Sequence, residues 1–353
     1  MTGTIAMRIQ QKATRTCFGR LIASMRISRN NTAAWWRIGA LIALAGLPFA
    51  CRAQVPRASQ SGSPNDYILT LNANLVILSA TVLDRRQAPV SGLGRDDFQV
   101  YEDGVLQQVK DFSGADLPVA VGILVDNSAS MAPKRSDVIA AALAFARSSN
   151  PLDQMFVVNF NDRVTFGLPP DTPYTDRREL LERALSAIHT TGQTSLYDGI
   201  AAGLDRLKQA NRDKRVLILI SDGGDDASKH TLAQVLGMAR QSFVIIYAIG
   251  IFDEQDGDQN PSVLKQFAKE TGGEAFFPES STDIPEICRG IARDIRSQYT
   301  LTYIPRIASR DGKYRTIVVK ARAGNRGRLF VRTRAGYSVP PGAPESSSKG
   351  AQP

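Results

Sequence analysis

The sequence is poor in the residues that build disulfide frameworks and imidazole metal sites. Three cysteines (Cys17, Cys51, Cys288) and two histidines (His189, His230) are spread over 353 residues. Cys17 and Cys51 fall in an amino-terminal stretch that looks like an export signal, so a processed chain would keep Cys288 alone and could form no intrachain disulfide. Stability must then come from packing, helped by any bound metal. Cys288 lies in a stretch of helical pattern (282–299), where a cysteine ordinarily serves as a small buried hydrophobe. The histidines are far apart, and neither stands in a paired spacing such as His-Glu-x-x-His. There is also no Gly-x-Ser-x-Gly nucleophile turn and no glycine-rich phosphate loop after the first strand of the α/β region. These absences argue against a serine hydrolase of that type, a His-Glu-x-x-His metalloprotease and a phosphate-loop nucleotide-binding protein.

Acidic residues are missing from residues 1–53, which carry eight basic ones (Arg8, Lys12, Arg15, Arg20, Arg26, Arg29, Arg37, Arg52). Those eight account for nearly all of the formal net charge of +9, leaving +1 for the remainder, so the basic balance does not argue for a nucleic-acid partner. Arg26, Arg29 and Arg37 precede an apolar run over 38–49 that is too short to span a bilayer comfortably, and Cys51-Arg52-Ala53 before Gln54 offers a small-residue cleavage site. The expected outcome is a signal peptide over 1–53, with the product exported to the periplasm or outside the cell. Two alternatives stand beside it: retention of the segment as a membrane anchor, and lipidation of Cys51, for which Leu47-Pro48-Phe49-Ala50 is a poor match. Membrane contact is expected only through such an uncleaved or lipidated N-terminus. The region before the apolar run is long, and initiation at Met25 would give an ordinary signal.

The hydrophobic content of 43% is enough for a substantial core. Residues 54–66 are rich in Ser, Pro and Gly and read as a linker. From 67 to 116 the pattern is of strands, at 67–71, 75–83 and 98–101, with a polar turn at Glu102-Asp103-Gly104 leading into 105–112 as a hairpin. Between 117 and 298 short continuous apolar runs (119–125, 155–160, 216–220, 243–249) alternate with helical stretches (136–147, 176–188, 196–210, 231–240 and 261–270). Runs of this kind suit strands buried on both faces of a parallel sheet, and the alternation predicts an α/β, doubly wound, mostly parallel sheet. Residues 164–168 are expected as an antiparallel edge beside 155–160. Strands return over 299–339, at 299–304, 314–321 and 329–334, and read as a three-stranded meander. Each β flank is thin for independent stability, so the two are expected to pack as one β domain from which the α/β region emerges as an insertion. The tail 340–353 has the composition of a disordered segment.

One stretch organises the rest. The run 119–125 empties into Asp126-Asn127-Ser128-Ala129-Ser130, placing a carboxylate and two hydroxyls at the carboxyl edge of the sheet. Alone, those residues are also ordinary turn and helix-cap residues. Two distant stretches supply partners. Thr194 lies in the loop 191–195 before a helix, and the run 216–220 ends in Ser221-Asp222-Gly223-Gly224. Parallel strands bring both carboxyl ends to one edge, so Asp126 and Asp222 can face each other across a crevice.

The pattern Asp126-x-Ser128-x-Ser130, then Thr194, then Asp222-Gly223, resembles the metal-ion-dependent adhesion site (MIDAS) of von Willebrand factor type A (VWA) domains, over roughly half of the chain. The flanks, with Tyr101-Glu102-Asp103-Gly104 and the Tyr299-x-Leu301-x-Tyr303 to Gly336-Tyr337 run, are similar to a group of exported bacterial VWA-related proteins. The resemblance implies that Ser128, Ser130 and Thr194 ligate a metal, with Asp126 and Asp222 holding it largely through water. It implies Mg²⁺, with Mn²⁺ or Ca²⁺ as alternatives, and a protein partner that presents an Asp or Glu. Mg²⁺ takes six oxygens and releases its waters reluctantly, so hydroxyls backed by outer carboxylates would leave it under-neutralised, with an exchangeable position.

A metal-dependent, non-enzymatic protein-binding module of adhesion type is therefore the expected function. The first alternative is a Mg²⁺-dependent hydrolase or phosphatase using Asp126 as nucleophile; a haloacid-dehalogenase-like site would want an acid where Ser128 stands, and no lysine motif completes it. The second is an envelope assembly scaffold acting through the β flanks. The remaining acids are expected in bland roles: Asp97, Asp103, Asp225, Asp226 and the loop Asp253, Glu254, Asp256, Asp258 as solvated loop residues, and Asp198 as a helix cap. His189 and His230 are expected at the surface or as caps.

Overall fold

The computed structural model describes residues 75–114, 116–187, 189–252, 259–306, 311–324 and 327–339. The expected signal peptide, linker and first strand (67–71), the acidic loop at 253–258 and the tail lie outside the described residues. All described residues belong to one compact unit, Leu69–Pro353.

Strands β1 (Val76–Leu83), β2 (Phe98–Glu102), β3 (Val105–Gln107) and β4 (Val109–Ser113) come first. The α/β region follows as β5 (Ala120–Asp126), α1 (Arg135–Ser148), β6 (Gln154–Phe160), β7 (Val164–Phe166), α2 (Arg178–Ser186), α3 (Leu196–Lys208), β8 (Arg215–Ser221), α4 (Leu232–Ser242), β9 (Ile245–Gly250), α5 (Pro261–Thr271), β10 (Ala275–Phe276) and α6 (Ile284–Ser297). The chain closes with β11 (Tyr299–Tyr303), β12 (Tyr314–Ala321), β13 (Phe330–Arg332) and β14 (Gly336–Ser338).

The central sheet runs β10-β9-β8-β5-β6-β7, parallel except for β7, which folds back antiparallel on β6 as expected. Every residue of β5 is buried, which is why its sequence is a continuous apolar run rather than an alternation. Helix boundaries follow local chemistry. Thr231 and Gln234 form a capping box on α4, while α5 starts with an Asn260 cap and Pro261 and stops at Gly272 in the left-handed region (φ 85°). Winding of the sheet reverses at β5, with β6 on one side and β8 on the other, so a crevice opens beyond the carboxyl ends of β5 and β8.

The flanking strands form two antiparallel sheets, β13-β1-β11-β4 and β14-β12-β2-β3. Both mix strands from before and after the α/β region. Leu78 of β1 pairs with Leu301 of β11, and Val100 of β2 with Val319 of β12, and all four side chains lie in one hydrophobic cluster. The expected meander is therefore not what forms: β11, β12 and β13 do not pair with one another but with β1, β2, β4 and β14. The expected hairpin is half correct. β2 and β3 pair around Asp103-Gly104 (φ 46° and 79°), but the stretch 105–112 breaks after Gln107, and β4 joins the other sheet. Gln107 turns inward at this break, with its Oε1 accepting from Arg306 N at 3.1 Å.

The β flanks are tied to the α/β region through Asp294 on α6. Its carboxylate accepts from Thr81 Oγ1 of β1 at 2.7 Å and from Tyr247 Oη of β9 at 2.5 Å, and also from the Arg332 guanidinium of β13. Cys288, on the same helix, is fully buried with its Sγ against Ala141 O at 3.2 Å. Burial pushes its thiol up to about 12, so it packs as a hydrophobe, as expected.

Candidate metal centre

Asp126 is the last residue of β5 and is 1% exposed. Both of its carboxylate oxygens are already engaged: Oδ1 accepts from Ser128 N at 3.0 Å and Oδ2 from Ser221 Oγ at 2.6 Å. Burial, and secondarily the charge of Asp222, raise its carboxyl to about 6. The loop then lifts the hydroxyls of Ser128 and Ser130 toward the crevice, 3.1 Å apart. Ser130 Oγ donates to Asp222 Oδ2 at 2.8 Å, so the two strand ends are joined through a hydroxyl rather than by direct carboxylate contact.

Asp222 follows β8 and is 2% exposed. Gly223 turns the chain away at once, in the left-handed region (φ 87°), where a Cβ would come within 2.4 Å of Asn260 O. Thr194 arrives from the third loop. Ala129 N donates to Gly192 O at 3.0 Å and Thr191 N to Asn127 O at 2.9 Å, bolting this loop to the Asp126–Ser130 stretch. Ser128, Ser130, Thr194 and Asp222 line one cavity of about 410 Å³, together with Gly192, Tyr197 and Asn260. Asp126 lies beneath that cavity rather than on its wall. The structure thus brings all five expected residues to one edge.

The donor set fits a hard divalent cation. Three hydroxyl-bearing residues line a common space beside two buried carboxylates, and oxygen ligands of this kind suit Mg²⁺, Mn²⁺ or Ca²⁺. Among the described residues no cluster of three His, Cys, Asp or Glu side chains could hold a metal, so this mixed hydroxyl and carboxylate set is the candidate.

Several residues take roles that the sequence did not reveal. Ser221 holds Asp126 from the neighbouring strand, and its Oγ also accepts from Gly223 N at 3.0 Å. Lys134, just before α1, is buried with its Nζ 3.7 Å from Asp222 Oδ2, so a lysine does stand at the site although no sequence motif marked it. Asp225 and Asp226 are not simply solvated. Asp226 Oδ1 accepts from Thr194 N at 2.6 Å, and Asp225 Oδ1 accepts from Tyr197 N at 3.0 Å and Ser228 Oγ at 2.5 Å. They dock the Thr194 loop and the start of α3, and burial raises the Asp225 carboxyl above its ordinary range. Asp198 does not cap its own helix but accepts from Lys229 N at 3.0 Å and His230 N at 2.9 Å, with His230 Nδ1 at 2.6 Å. Asp103, expected in solvent, accepts from Thr316 N at 2.8 Å and Thr316 Oγ1 at 2.9 Å across the β2–β12 pair.

Residues 121–289, just under half of the chain, match the family model of the von Willebrand factor type A domain. They are a VWA domain. It begins inside β5 and ends in α6, so it contains all five candidate ligands. Among solved structures, the chain is similar to a von Willebrand factor type A protein from Catenulispora acidiphila (14% identity, 69% of this chain and 72% of that one, TM-score 0.46). It is also similar to the vWF domain of the type V pili tip protein Mfa5 from Porphyromonas gingivalis (13% identity, 51% and 95%, TM-score 0.43). A third is proximal thread matrix protein 1 from the mussel byssus, with a zinc occupied MIDAS motif (16% identity, 51% and 48%, TM-score 0.40). No curated protein matches the chain.

Proposed function

We propose that the VWA domain of this chain is an exported, metal-dependent protein-binding module. Ser128, Ser130 and Thr194 would hold a divalent cation directly, with Asp126 and Asp222 behind them, and the cation would offer an open coordination position to an Asp or Glu of a protein partner. The supporting observation is the shared cavity, lined by the hydroxyl residues and Asp222, with Asp126 buried and fixed on both oxygens by Ser128 N and Ser221 Oγ. An ion held there stays under-neutralised and attractive to an incoming carboxylate. Mg²⁺ is the proposed ion. The basic, acid-free leader supports export.

The same geometry argues against Asp126 as a nucleophile. A carboxylate at 1% exposure, absent from the cavity lining and held on both oxygens by Ser128 N and Ser221 Oγ, is not presented to a substrate. No step of covalent catalysis is therefore assigned to it.

The test is capture of partners from the envelope and extracellular fractions of the producing cell, with Mg²⁺ and with chelator. A captured protein should be lost on chelation and lost with Asp126→Ala or Ser128→Ala, while circular dichroism shows both variants folded. Capture that survives chelator and both substitutions would reject the proposal.

A further inference from the structure

Lys134 is a poor residue for its position on local grounds. It occupies the cap position before α1, where Ser, Asp or Asn is favoured and where the helix dipole disfavours a cation. It is also 6% exposed, and no other lysine among the described residues is buried to that degree. Its backbone is fixed within the same turn that carries Ser128 and Ser130: Lys134 N donates to Met131 O at 3.1 Å, and Lys134 O accepts from Asp137 N and Val138 N at 3.0 Å. The side chain is thereby delivered to Asp222 Oδ2 at 3.7 Å, the same oxygen that accepts Ser130 Oγ at 2.8 Å. A local rule broken at a functional edge calls for a compensating role.

We propose that Lys134 is the resident counter-cation of the metal-free site and weakens its affinity for divalent ions. The inference rests on the metal-binding reading above and adds a residue outside its ligand set. Two buried carboxylates with no positive charge between them are costly to hold in the folded chain, and the ammonium beside Asp222 offsets part of that cost. When a divalent ion enters, the same ammonium opposes it. Repulsion between a unit charge and a divalent one at side-chain distances, even with water-like screening, changes binding by about tenfold. Lys134 therefore lets the domain keep its fold while releasing its ion readily, so that occupancy follows the ambient metal concentration.

The experiment is a Mn²⁺ titration of the chelator-stripped full chain by calorimetry and electron paramagnetic resonance, with thermal unfolding in EDTA and in Mn²⁺. Wild type is compared with Lys134→Met, which keeps the apolar stem, and with Lys134→Arg, which keeps the charge. The expected result is that Lys134→Met binds Mn²⁺ about tenfold or more tightly than wild type, melts lower in EDTA, and recovers in Mn²⁺, while Lys134→Arg binds like wild type. Tighter binding by Lys134→Met where wild type shows none supports the same role. If Lys134→Met binds equally or more weakly than wild type, the inference is overturned and the metal site stands. If neither protein binds while both are folded, the metal-binding reading fails and takes the inference with it. Should Lys134→Met not fold, Lys134→Gln is read by the same criteria.

Discussion

Removing Asp294 should expose how strongly the β flanks and the VWA domain depend on each other. The Asp294 carboxylate gathers donors from three strands: Thr81 Oγ1 of β1, Tyr247 Oη of β9 and the Arg332 guanidinium of β13. Asp294→Ala leaves the Thr81 and Tyr247 hydroxyls without their acceptor, each costing about 1–3 kcal/mol if buried unpaired. Arg332 keeps Glu274 as a partner, and the Asp294 and Arg332 side chains are 11% and 22% exposed, so only part of a fully buried ion pair's loss applies. A net loss of about 3–5 kcal/mol follows, a large share of the stability of a domain this size. Urea unfolding in EDTA, followed by tryptophan-independent far-ultraviolet dichroism, measures it. A double-mutant cycle with Arg332→Met should give a coupling of about 1–3 kcal/mol. A loss below about 1 kcal/mol, or additive single effects, would refute the view that this carboxylate joins the two regions.

Two further outcomes follow from single residues. Burial lowers the Lys214 ammonium from 10.5 to about 8, a penalty of ~3 kcal/mol on its charged form. The folded chain therefore binds fewer protons than the unfolded one between about pH 8 and pH 10.5, and stability should rise across that window. Lys214→Met should remove this rise, visible as a flatter difference between denaturation midpoints at pH 8 and pH 10 than in wild type. Gly223→Ala should cost about 2 kcal/mol or more, because φ 87° is strained for alanine and its Cβ would meet Asn260 O at 2.4 Å. It should also displace Asp222, so Mn²⁺ binding by the folded variant should weaken with it.

The α/β half of the fold was legible because its strands are buried on both faces. A run such as Val119-Ala120-Val121-Gly122-Ile123-Leu124-Val125 has few readings other than an inner parallel strand, and its position before Asp126 placed the site at the sheet edge. That the Asp126 and Asp222 ends meet was likewise legible, since parallel strands fix which ends share an edge, whereas Thr194, in a loop between two helices, was placed with them only by the resemblance to the VWA metal site. Partner choice among the flanking strands was not. Alternation in β1 and β12 shows which face is buried but does not name the strand alongside, and Leu78 finds Leu301 more than two hundred residues later. Lys134 and Ser221 were hidden for a related reason: a lysine before a helix and a serine at a strand end are unremarkable until the fold sets them beside Asp222 and Asp126. Asp225 and Asp226 look like loop acids in sequence and become docking points only because the Thr194 loop passes over them.

The most direct measurement is a calorimetric Mg²⁺ and Mn²⁺ titration of the wild-type chain beside Thr194→Ala, whose lost hydroxyl comes from a loop separate from the Asp126–Ser130 stretch. Saturable binding of one ion per chain by wild type, weakened at least about tenfold by Thr194→Ala with its melting temperature in EDTA unchanged, is the predicted result. Equal binding by both proteins, or no binding by a folded wild type, would contradict a metal centre built from Asp126, Ser128, Ser130, Thr194 and Asp222.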